Sequence, residues 1–185
     1  MKTKQYINLI VFVASSLLQQ AFAQKQASPQ TPTPFQTGSW QMGVKEGYTQ
    51  GNLLKNRNSL QVHGSYFLVK QLAVGIAASW SREWVGDFGY TDLSVGPYAR
   101  YQFTKTRLSP FLEASYQFGK RRANEVSGMS YASLAIQSTQ LTPGISISLL
   151  KPLRLDLSYR FEWVDLSTNI QAFGLPQVGL TYLLR

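Results

Sequence analysis

The sequence predicts an all-β fold, an eight-stranded antiparallel up-and-down transmembrane β-barrel. Three observations predict it. Apolar and polar residues alternate with a period of two from residue 38 onward, no later stretch has the ~18 consecutive apolar residues of a membrane helix, and Trp and Tyr gather near the ends of the alternating segments. The barrel domain is therefore assigned to residues 38–185.

The clearest alternating segment covers residues 153–163. Its apolar face carries Leu153, Leu155, Leu157, Tyr159, Phe161 and Trp163, and its polar face carries Arg154, Asp156, Ser158, Arg160 and Glu162. Such a run indicates a strand with two chemically different faces. Seven further segments alternate in the same way, at residues 40–45, 60–68, 72–80, 92–103, 112–119, 141–149 and 177–184.

Alternation alone leaves open which face is inside, because a soluble secreted barrel of the lipocalin type would turn its apolar face inward. Here the polar face is rich in Gly, Ala and Ser, which fit a narrow interior, and the connections alternate in length. Long links are expected around Thr49–Asn58, Arg82–Gly89, Lys120–Gln137 and Asp165–Leu175, and short turns at Lys70-Gln71, Thr104–Arg107 and Lys151-Pro152. This pattern is typical of an outer-membrane barrel with extracellular loops and periplasmic termini, closed because lipid cannot satisfy an open strand edge.

The first 23 residues predict a secretory signal peptide. Two lysines occur in the first four residues, an apolar stretch covers residues 7–18, and Ala-Phe-Ala at 21–23 has the small-x-small pattern of a cleavage site. The apolar stretch is shorter than the ~20 residues that a spanning helix needs, which disfavours a membrane anchor. Residues 24–37 combine three prolines with Gln, Ser and Thr, and they predict an extended, flexible leader.

The composition excludes several function classes. With no Cys and a single His, the chain has no disulfide framework, thiolate metal site, Cys nucleophile or His-rich metal site, and we expect no metal or other cofactor. The net charge of +9 could suit nucleic acid, but an exported chain is kept away from it. We therefore expect no nucleic-acid partner.

These features resemble the small outer-membrane β-barrels of the OmpA/OmpX-like group. The resemblance covers residues 38–185 and rests on the signal peptide, the opening strand Trp40–Val44 and the closing pattern Val178-x-Leu180-x-Tyr182-x-Leu184. It implies residence in the outer membrane of a Gram-negative bacterium, in contact with lipid and lipopolysaccharide. The closing strand also resembles the signal read by the barrel-insertion machinery, although it ends in Arg185 instead of an aromatic residue.

The inward face is expected to carry an ion-pair network that plugs the lumen, because eight strands leave little more than side-chain room. Its members are Lys45, Asp92, Arg100, Glu113, Asp156, Arg160 and Glu162, with Arg154 as a further inward charge. With the turn between the fourth and fifth predicted strands centred at Lys105-Thr106, Arg100 is predicted opposite Phe111 and one diagonal step from Glu113, within ion-pairing reach. A narrow selective pore is the alternative interpretation.

His63 and Ser65 lie two residues apart and therefore on one face of a strand. A His beside a Ser could activate a nucleophile, which would suit a lipid A-modifying enzyme. No acid is placed to orient His63, and the period puts both side chains in the lumen, opposite Ala77 in the case of His63. We therefore assign no catalytic residue and expect a non-enzymatic protein.

Basic residues near the predicted long loops could meet the phosphates of lipopolysaccharide. They are Arg57, Arg82, Lys120, Arg121 and Arg122. The alternative is an ordinary solvated loop surface. The sequence thus predicts a structural or interaction role at the outer membrane and leaves the ligand and any protein partner open.

Overall fold

A computed structural model describes residues 35–50, 55–85, 88–123, 133–166 and 170–184. The predicted signal peptide, residues 24–34 of the predicted leader, and Arg185 lie outside the described residues. The described part forms a closed sheet of eight antiparallel strands, each hydrogen-bonded to its neighbours in chain order, with β1 also paired to β8. The predicted fold class is confirmed.

The strands are long enough to cross the ~25 Å apolar band of an outer-membrane barrel even when tilted. Their bounds are β1 Trp40–Gln50, β2 Lys55–Val69, β3 Leu72–Val85, β4 Phe88–Gln102, β5 Leu108–Ala123, β6 Leu134–Ser148, β7 Leu153–Asp165 and β8 Ile170–Leu184. In the described ranges no helix is long and apolar enough to cross a membrane.

The strand registers fix the width of the barrel. Trp40 of β1 pairs with Leu184 of β8, but following the paired residues from Trp40 through all the other strands leads to Gly174, ten residues away on β8. This offset is the shear of the sheet, and together with eight strands it gives an interior that side chains can fill.

The two faces of the wall have opposite chemistry. Along β5 buried and exposed residues alternate strictly from Leu108 to Phe118. Most inward residues are polar and buried, as Gln117 with 0% exposure illustrates, whereas Ile76 and Leu93 on the outside are 63% and 62% exposed. The apolar face is therefore outside, opposite to the arrangement of a soluble lipocalin-like barrel.

The end of the barrel with the β2–β3, β4–β5 and β6–β7 connections is called the turn end, and the opposite end the loop end. At the loop end the strands run further than the sequence predicts: β2 already begins at Lys55, β3 continues to Val85 and β5 to Ala123. Much of the predicted links Thr49–Asn58, Arg82–Gly89 and Asp165–Leu175 is thus strand, and so are both ends of the predicted link Lys120–Gln137. Pairing continues there because it satisfies the backbone hydrogen bonds that a loop would leave to water.

Candidate functional site in the lumen and on the outer wall

Charged side chains fill the lumen in two groups at different heights. The group nearer the turn end, called the turn-side cluster, consists of Lys45, Arg100, Glu113 and Asp156. Arg100 Nη1 lies 3.1 Å from Glu113 Oε1, and Arg100 Nη2 lies 3.1 Å from Asp156 Oδ1 across the lumen. Lys45 Nζ donates to the other Glu113 oxygen. The cluster pairs two cations with two carboxylates and is neutral.

Neighbouring polar and aromatic groups complete the turn-side cluster. The Tyr98 hydroxyl donates to Glu113 Oε1 at 2.8 Å, and Thr181 Oγ1 donates to Asp156 Oδ2 at 2.7 Å. The guanidinium of Arg100 stacks 3.9 Å from the centroid of the Phe111 ring. These contacts satisfy charges that the barrel wall has removed from bulk water.

A second group, the loop-side cluster, occupies the other half of the lumen. It consists of Arg57, Glu83, Asp92, Arg121, Arg160 and Glu162, three cations and three carboxylates. Arg121 binds Asp92 through two bonds of 2.7 and 2.8 Å. Arg57 connects the walls, because its Nη2 lies 3.1 Å from Glu162 on β7 and 3.8 Å from Asp92 on β4.

Phe35 lies buried at the turn end of the barrel. Its ring is only 2% exposed and lies 5.7 Å from the Phe67 ring, with the guanidinium of Arg154 4.9 Å from its centroid. Phe35 has a φ of 66°, which a non-glycine residue adopts at a cost of about 1–2 kcal/mol. Burial of the ring offsets that cost.

Backbone bonds attach this segment to the barrel. The Gln71 amide donates to the Phe35 carbonyl at 3.3 Å, the Gly38 amide to the Phe67 carbonyl at 3.1 Å, and the Phe67 amide to the Ser39 carbonyl at 2.9 Å. The prediction of a flexible leader up to residue 37 is therefore wrong for residues 35–37. The sequence favoured it because one aromatic residue stands among polar residues and prolines.

Arg154 sits beside Phe35 and takes no carboxylate partner among the described residues. Its Nε donates to Ser146 Oγ at 2.8 Å, and its Nη2 donates to the carbonyl oxygens of Ser146 and Arg107 at 3.0 and 3.3 Å. These acceptors hold the guanidinium over the Phe35 ring, so that Arg154 belongs to the closure of the turn end.

The structure thus brings Lys45, Arg100, Glu113 and Asp156 together, and it places Asp92, Arg160 and Glu162 in the other cluster. Arg100 stands directly opposite Glu113, whereas Phe111 is opposite Gln102. The predicted register of β4 and β5 was therefore wrong by two residues. Such a slip keeps every side chain on its face, which explains why the ion pair could still be anticipated.

Two of the five basic residues predicted to meet lipopolysaccharide point into the lumen instead. Arg57 and Arg121 are 2% and 7% exposed and belong to the loop-side cluster. Arg57 and Arg121 face inward because β2 and β5 include them, so that the alternation of inward and outward side chains continues through both positions. Glu83, the inward partner of these arginines, was not predicted because it fell in the predicted link Arg82–Gly89. Extending the two-residue period from Ser79 and Ser81 places Glu83 on the inward face.

The other three basic residues form a patch on the outside, called the outward basic surface: Arg82, Lys120 and Arg122. Arg82 on β3 stands opposite Thr91 on β4, which stands opposite Arg122 on β5. Two strand spacings separate the backbones of the two arginines by roughly 10 Å. Lys120 and Arg122 are exposed, and Arg82 is half-buried.

Aromatic and apolar residues adjoin the outward basic surface. Lys120 stands opposite Leu93, which stands opposite Trp80. The guanidinium of Arg82 lies 4.7 Å from the centroid of the Trp84 ring. The cationic side chains therefore lie at the margin of the apolar outer surface. This position suits contact with anionic head groups above an acyl layer.

His63 and Ser65 are not hydrogen-bonded to each other. Both are buried in the lumen, and within the described residues neither the ring nitrogens of His63 nor the Ser65 hydroxyl has a hydrogen-bond partner. The His63 ring stacks on Tyr98 at 4.8 Å, and a Cβ added to Gly43 would lie 2.6 Å from its Nε2. The ring fills the space over Gly43, and the predicted register opposite Ala77 is confirmed.

The described residues contain no group of three or more His, Cys, Asp or Glu side chains arranged to hold a metal ion. The acidic side chains of the lumen are each set against Arg or Lys, as the two clusters illustrate.

No protein-family model matches the chain, and no curated protein sequence matches it. Solved structures do. The Neisserial surface protein A, NspA, superposes with a TM-score of 0.57 and 17% identity over 78% of this chain and 95% of NspA. The fold is that of the small outer-membrane β-barrels.

Two further small outer-membrane barrels give the same result. The N-terminal barrel domain of Pseudomonas aeruginosa OprF has a TM-score of 0.58 and 12% identity over 80% of this chain and 98% of that domain. Ail, the attachment invasion locus protein of Yersinia pestis, has a TM-score of 0.53 and 15% identity over 80% of this chain and 99% of Ail. At such identities the likeness concerns the fold.

Proposed function

We propose that the chain is an integral β-barrel of the bacterial outer membrane with a plugged lumen and a structural or interaction role instead of an enzymatic one. The observation that carries the proposal is the contrast between the two sides of the wall. The outside is apolar along the strands, while two neutral ion-pair clusters and Phe35 occupy the lumen at successive heights. A barrel built in this way suits lipid outside and offers no continuous water path inside.

In this proposal the loop end faces the outside of the cell, and both ends of the chain face the periplasm. Residues 1–23 direct export and are removed, residues 24–34 form a periplasmic leader, and the closing strand β8 is recognised by the barrel-insertion machinery. Fold alone does not define the role of such a barrel, so interaction with a further protein is left to experiment.

We further propose that the outward basic surface binds the phosphates of lipopolysaccharide. Arg82, Lys120 and Arg122 are at the loop-end margin of the apolar wall, where cations can neutralise anionic head groups while Trp80 and Leu93 contact acyl chains. Among proteins of the same fold, Ail has been crystallised with the heparin analogue sucrose octasulfate, a polyanion.

Membrane residence is tested by cell fractionation followed by alkaline carbonate extraction. We expect the protein in the outer-membrane fraction and in the carbonate-resistant pellet, because its exposed wall is apolar. Recovery from the periplasm or the medium as a soluble protein would refute the proposal.

Lipopolysaccharide contact is tested with two triple variants of equal charge change. Replacing Arg82, Lys120 and Arg122 by Gln should weaken binding of purified lipopolysaccharide on the order of a hundredfold, at about 1 kcal/mol per cation. Replacing the exposed turn-end residues Lys70, Lys105 and Lys151 by Gln is the control and should leave binding unchanged. Equal binding by both variants would contradict a localised site.

A further inference from the structure

Every connection at the turn end of the barrel carries an exposed cation. Four residues form this set, which is called the basic rim: Lys70 between β2 and β3, Lys105 and Arg107 between β4 and β5, and Lys151 between β6 and β7. None of the three connections contains Asp or Glu. The described residues at this end thus expose a single sign of charge, whereas the loop end also exposes Asp165.

No carboxylate of the described residues pairs with the basic rim. Arg107 Nε donates to the Ser148 carbonyl at 3.3 Å, and this is the one hydrogen bond that joins a rim side chain to another described residue. The acidic residues nearest to this end, Glu113 and Asp156, are buried in the turn-side cluster and neutralised there. The four positive charges of the rim therefore take their counter-charge from outside the described residues.

Hydrogen bonds between the connections hold the basic rim on a common frame. The Ser148 amide donates to the Arg107 carbonyl at 2.8 Å, which joins the β4–β5 connection to the end of β6. The Gln71 side chain donates to the Gln102 carbonyl at 2.7 Å, and the Gln102 amide donates to the Gln71 carbonyl at 2.8 Å, which joins the β2–β3 connection to the end of β4. The backbones that carry the cations are thus fixed relative to the wall.

The basic rim lies just beyond a level of aromatic side chains on the outer wall. Trp40 and Tyr101 are exposed near the turn end, and the Trp40 ring lies 5.2 Å from the Tyr66 ring. Lys70 follows Tyr66 by four residues, and Lys105 follows Tyr101 by four residues, so that each cation lies roughly 10 Å further along the barrel axis. Aromatic residues mark the membrane–water interfaces of such barrels. The rim is therefore at the depth of the head-group layer.

Apolar side chains adjoin the cations of the basic rim. Three exposed ones are direct chain neighbours of rim residues: Val69, Leu108 and Leu150. A soluble polyanion would leave these side chains in water, whereas a lipid offers acyl chains to them and a charged head group to the cation beside them. Lys and Arg side chains are suited to this contact, because their apolar stems lie along apolar surface while the charge remains in the polar layer.

We propose that the basic rim binds the head groups of anionic phospholipids in the leaflet that surrounds the turn end. The ionised phosphate of such a lipid accepts charge-assisted hydrogen bonds from Lys and Arg. The cations lie on three separate connections, so that they contact several lipid molecules and form no pocket for a single one. The two ends of the barrel then differ in the lipid they bind, with anionic phospholipid at the turn end and lipopolysaccharide at the outward basic surface. This inference rests on the membrane location given under Proposed function.

Fluorescence quenching by brominated lipids tests the inference, because one of the four tryptophans reports on the turn end. Trp40 lies there, and the other three, Trp80, Trp84 and Trp163, lie toward the loop end and are replaced by Phe in a Trp40 reporter chain. The mature reporter is refolded into phosphatidylcholine vesicles that contain brominated phosphatidylglycerol or brominated phosphatidylcholine. Quenching then gives the association constant of phosphatidylglycerol relative to phosphatidylcholine at Trp40. Both leaflets have the same composition, so that the readout does not depend on the orientation of the barrel.

Phosphatidylglycerol should be preferred about fivefold at Trp40, the effect of one neighbouring cation at about 1 kcal/mol. Replacing the three rim lysines by Gln should bring the ratio close to one, whereas replacing them by Arg should keep it because the charge is retained. The same Gln substitution of all three residues of the outward basic surface is the matched control and should leave the Trp40 ratio unchanged. In a reporter that keeps Trp80 instead of Trp40, the rim variant should have no effect on the ratio.

A Trp40 ratio near one in the reporter with an intact rim, or a ratio that the Gln variant of the rim leaves unchanged, would overturn the proposal and assign the basic rim to a soluble polyanion. Sodium phosphate should lower the ratio no more than sodium chloride of equal ionic strength, and a loss specific to phosphate would show that the rim binds free phosphate instead. Insertion of each variant is checked by its heat-modifiable mobility in detergent gels. A wild-type chain that fails to insert would instead contradict the membrane location itself.

Discussion

Arg100 and Glu113 stand directly opposite each other on β4 and β5, and their side chains meet at 3.1 Å inside the barrel. Each also has a second charged partner, Asp156 for Arg100 and Lys45 for Glu113. The four charges form one neutral group, so that removing a single member leaves an uncompensated charge among buried side chains. Removing one of each sign restores the balance.

Arg100→Ala should lower the free energy of unfolding by on the order of 3–5 kcal/mol, the range for breaking a buried ion pair by deleting one partner. Water that enters the lumen would reduce the loss. The double variant Arg100→Ala with Glu113→Ala should recover part of it, because Lys45 and Asp156 remain as a balanced pair. Urea titration of the protein in detergent measures both, and single and double variants as stable as wild type would show that the pair is not buried in this way.

Arg121 and Arg122 are adjacent in sequence but face opposite sides of the wall. Arg121→Ala should destabilise the barrel because Asp92 loses both hydrogen bonds from Arg121 and keeps Arg57, 3.8 Å away, as its cationic partner. Arg122→Ala should change stability by less than about 0.5 kcal/mol, as exposed substitutions usually do. For lipopolysaccharide binding, Arg122→Ala should have the larger effect and Arg121→Ala the smaller one. Thermal unfolding and a binding titration on the same two preparations check this, and equal effects in either assay would mean that the two side chains are not separated by the wall.

Phe35→Ala should lower the free energy of unfolding by roughly 3 kcal/mol, near the lower end for buried aromatic residues, because the ring fills the turn end between Phe67 and Arg154. Thr37→Ala, at an exposed position two residues later, is the control and should have little effect. Differential scanning calorimetry in detergent compares them. Equal stability of the two variants would mean that Phe35 does not close the lumen.

His63→Ala and Ser65→Ala should leave the lipid A of the host membrane unchanged. The His63 ring stacks on Tyr98 and makes no bond to Ser65, so that the expected loss is one of packing. Mass spectrometry of lipid A from cells that produce each variant checks this. A change in acylation that depends on either residue would contradict the non-enzymatic proposal.

The sequence could predict the strands inside the apolar band because each has one apolar and one polar face. It could also predict the β2–β3 register, since a two-residue turn at Lys70-Gln71 leaves little freedom, and the predicted pair of His63 with Ala77 is confirmed. The β4–β5 connection is longer, and alternation then determines which face a residue occupies without fixing shifts of two residues.

Toward the loop end the alternation of apolar and polar residues disappears from the sequence for a physical reason. Beyond the aromatic residues the outside of the wall meets water, so that Asn58, Arg82 and Arg122 are outward and polar while Arg57 and Arg121 are inward and polar. With both faces polar, a strand there resembles a loop in sequence, which is why the loop-side cluster was only partly predicted. The clusters themselves depend on contacts across the lumen, such as Arg57 with Glu162, that no local pattern encodes.

The most direct test of the plugged outer-membrane barrel is electrical recording from the purified full-length mature protein in planar bilayers, with insertion verified by its heat-modifiable mobility. In the proposed function the two charge clusters and Phe35 block the passage of hydrated ions. We expect inserted protein without steady ion conductance. Stable, reproducible channels from the wild-type protein would contradict it.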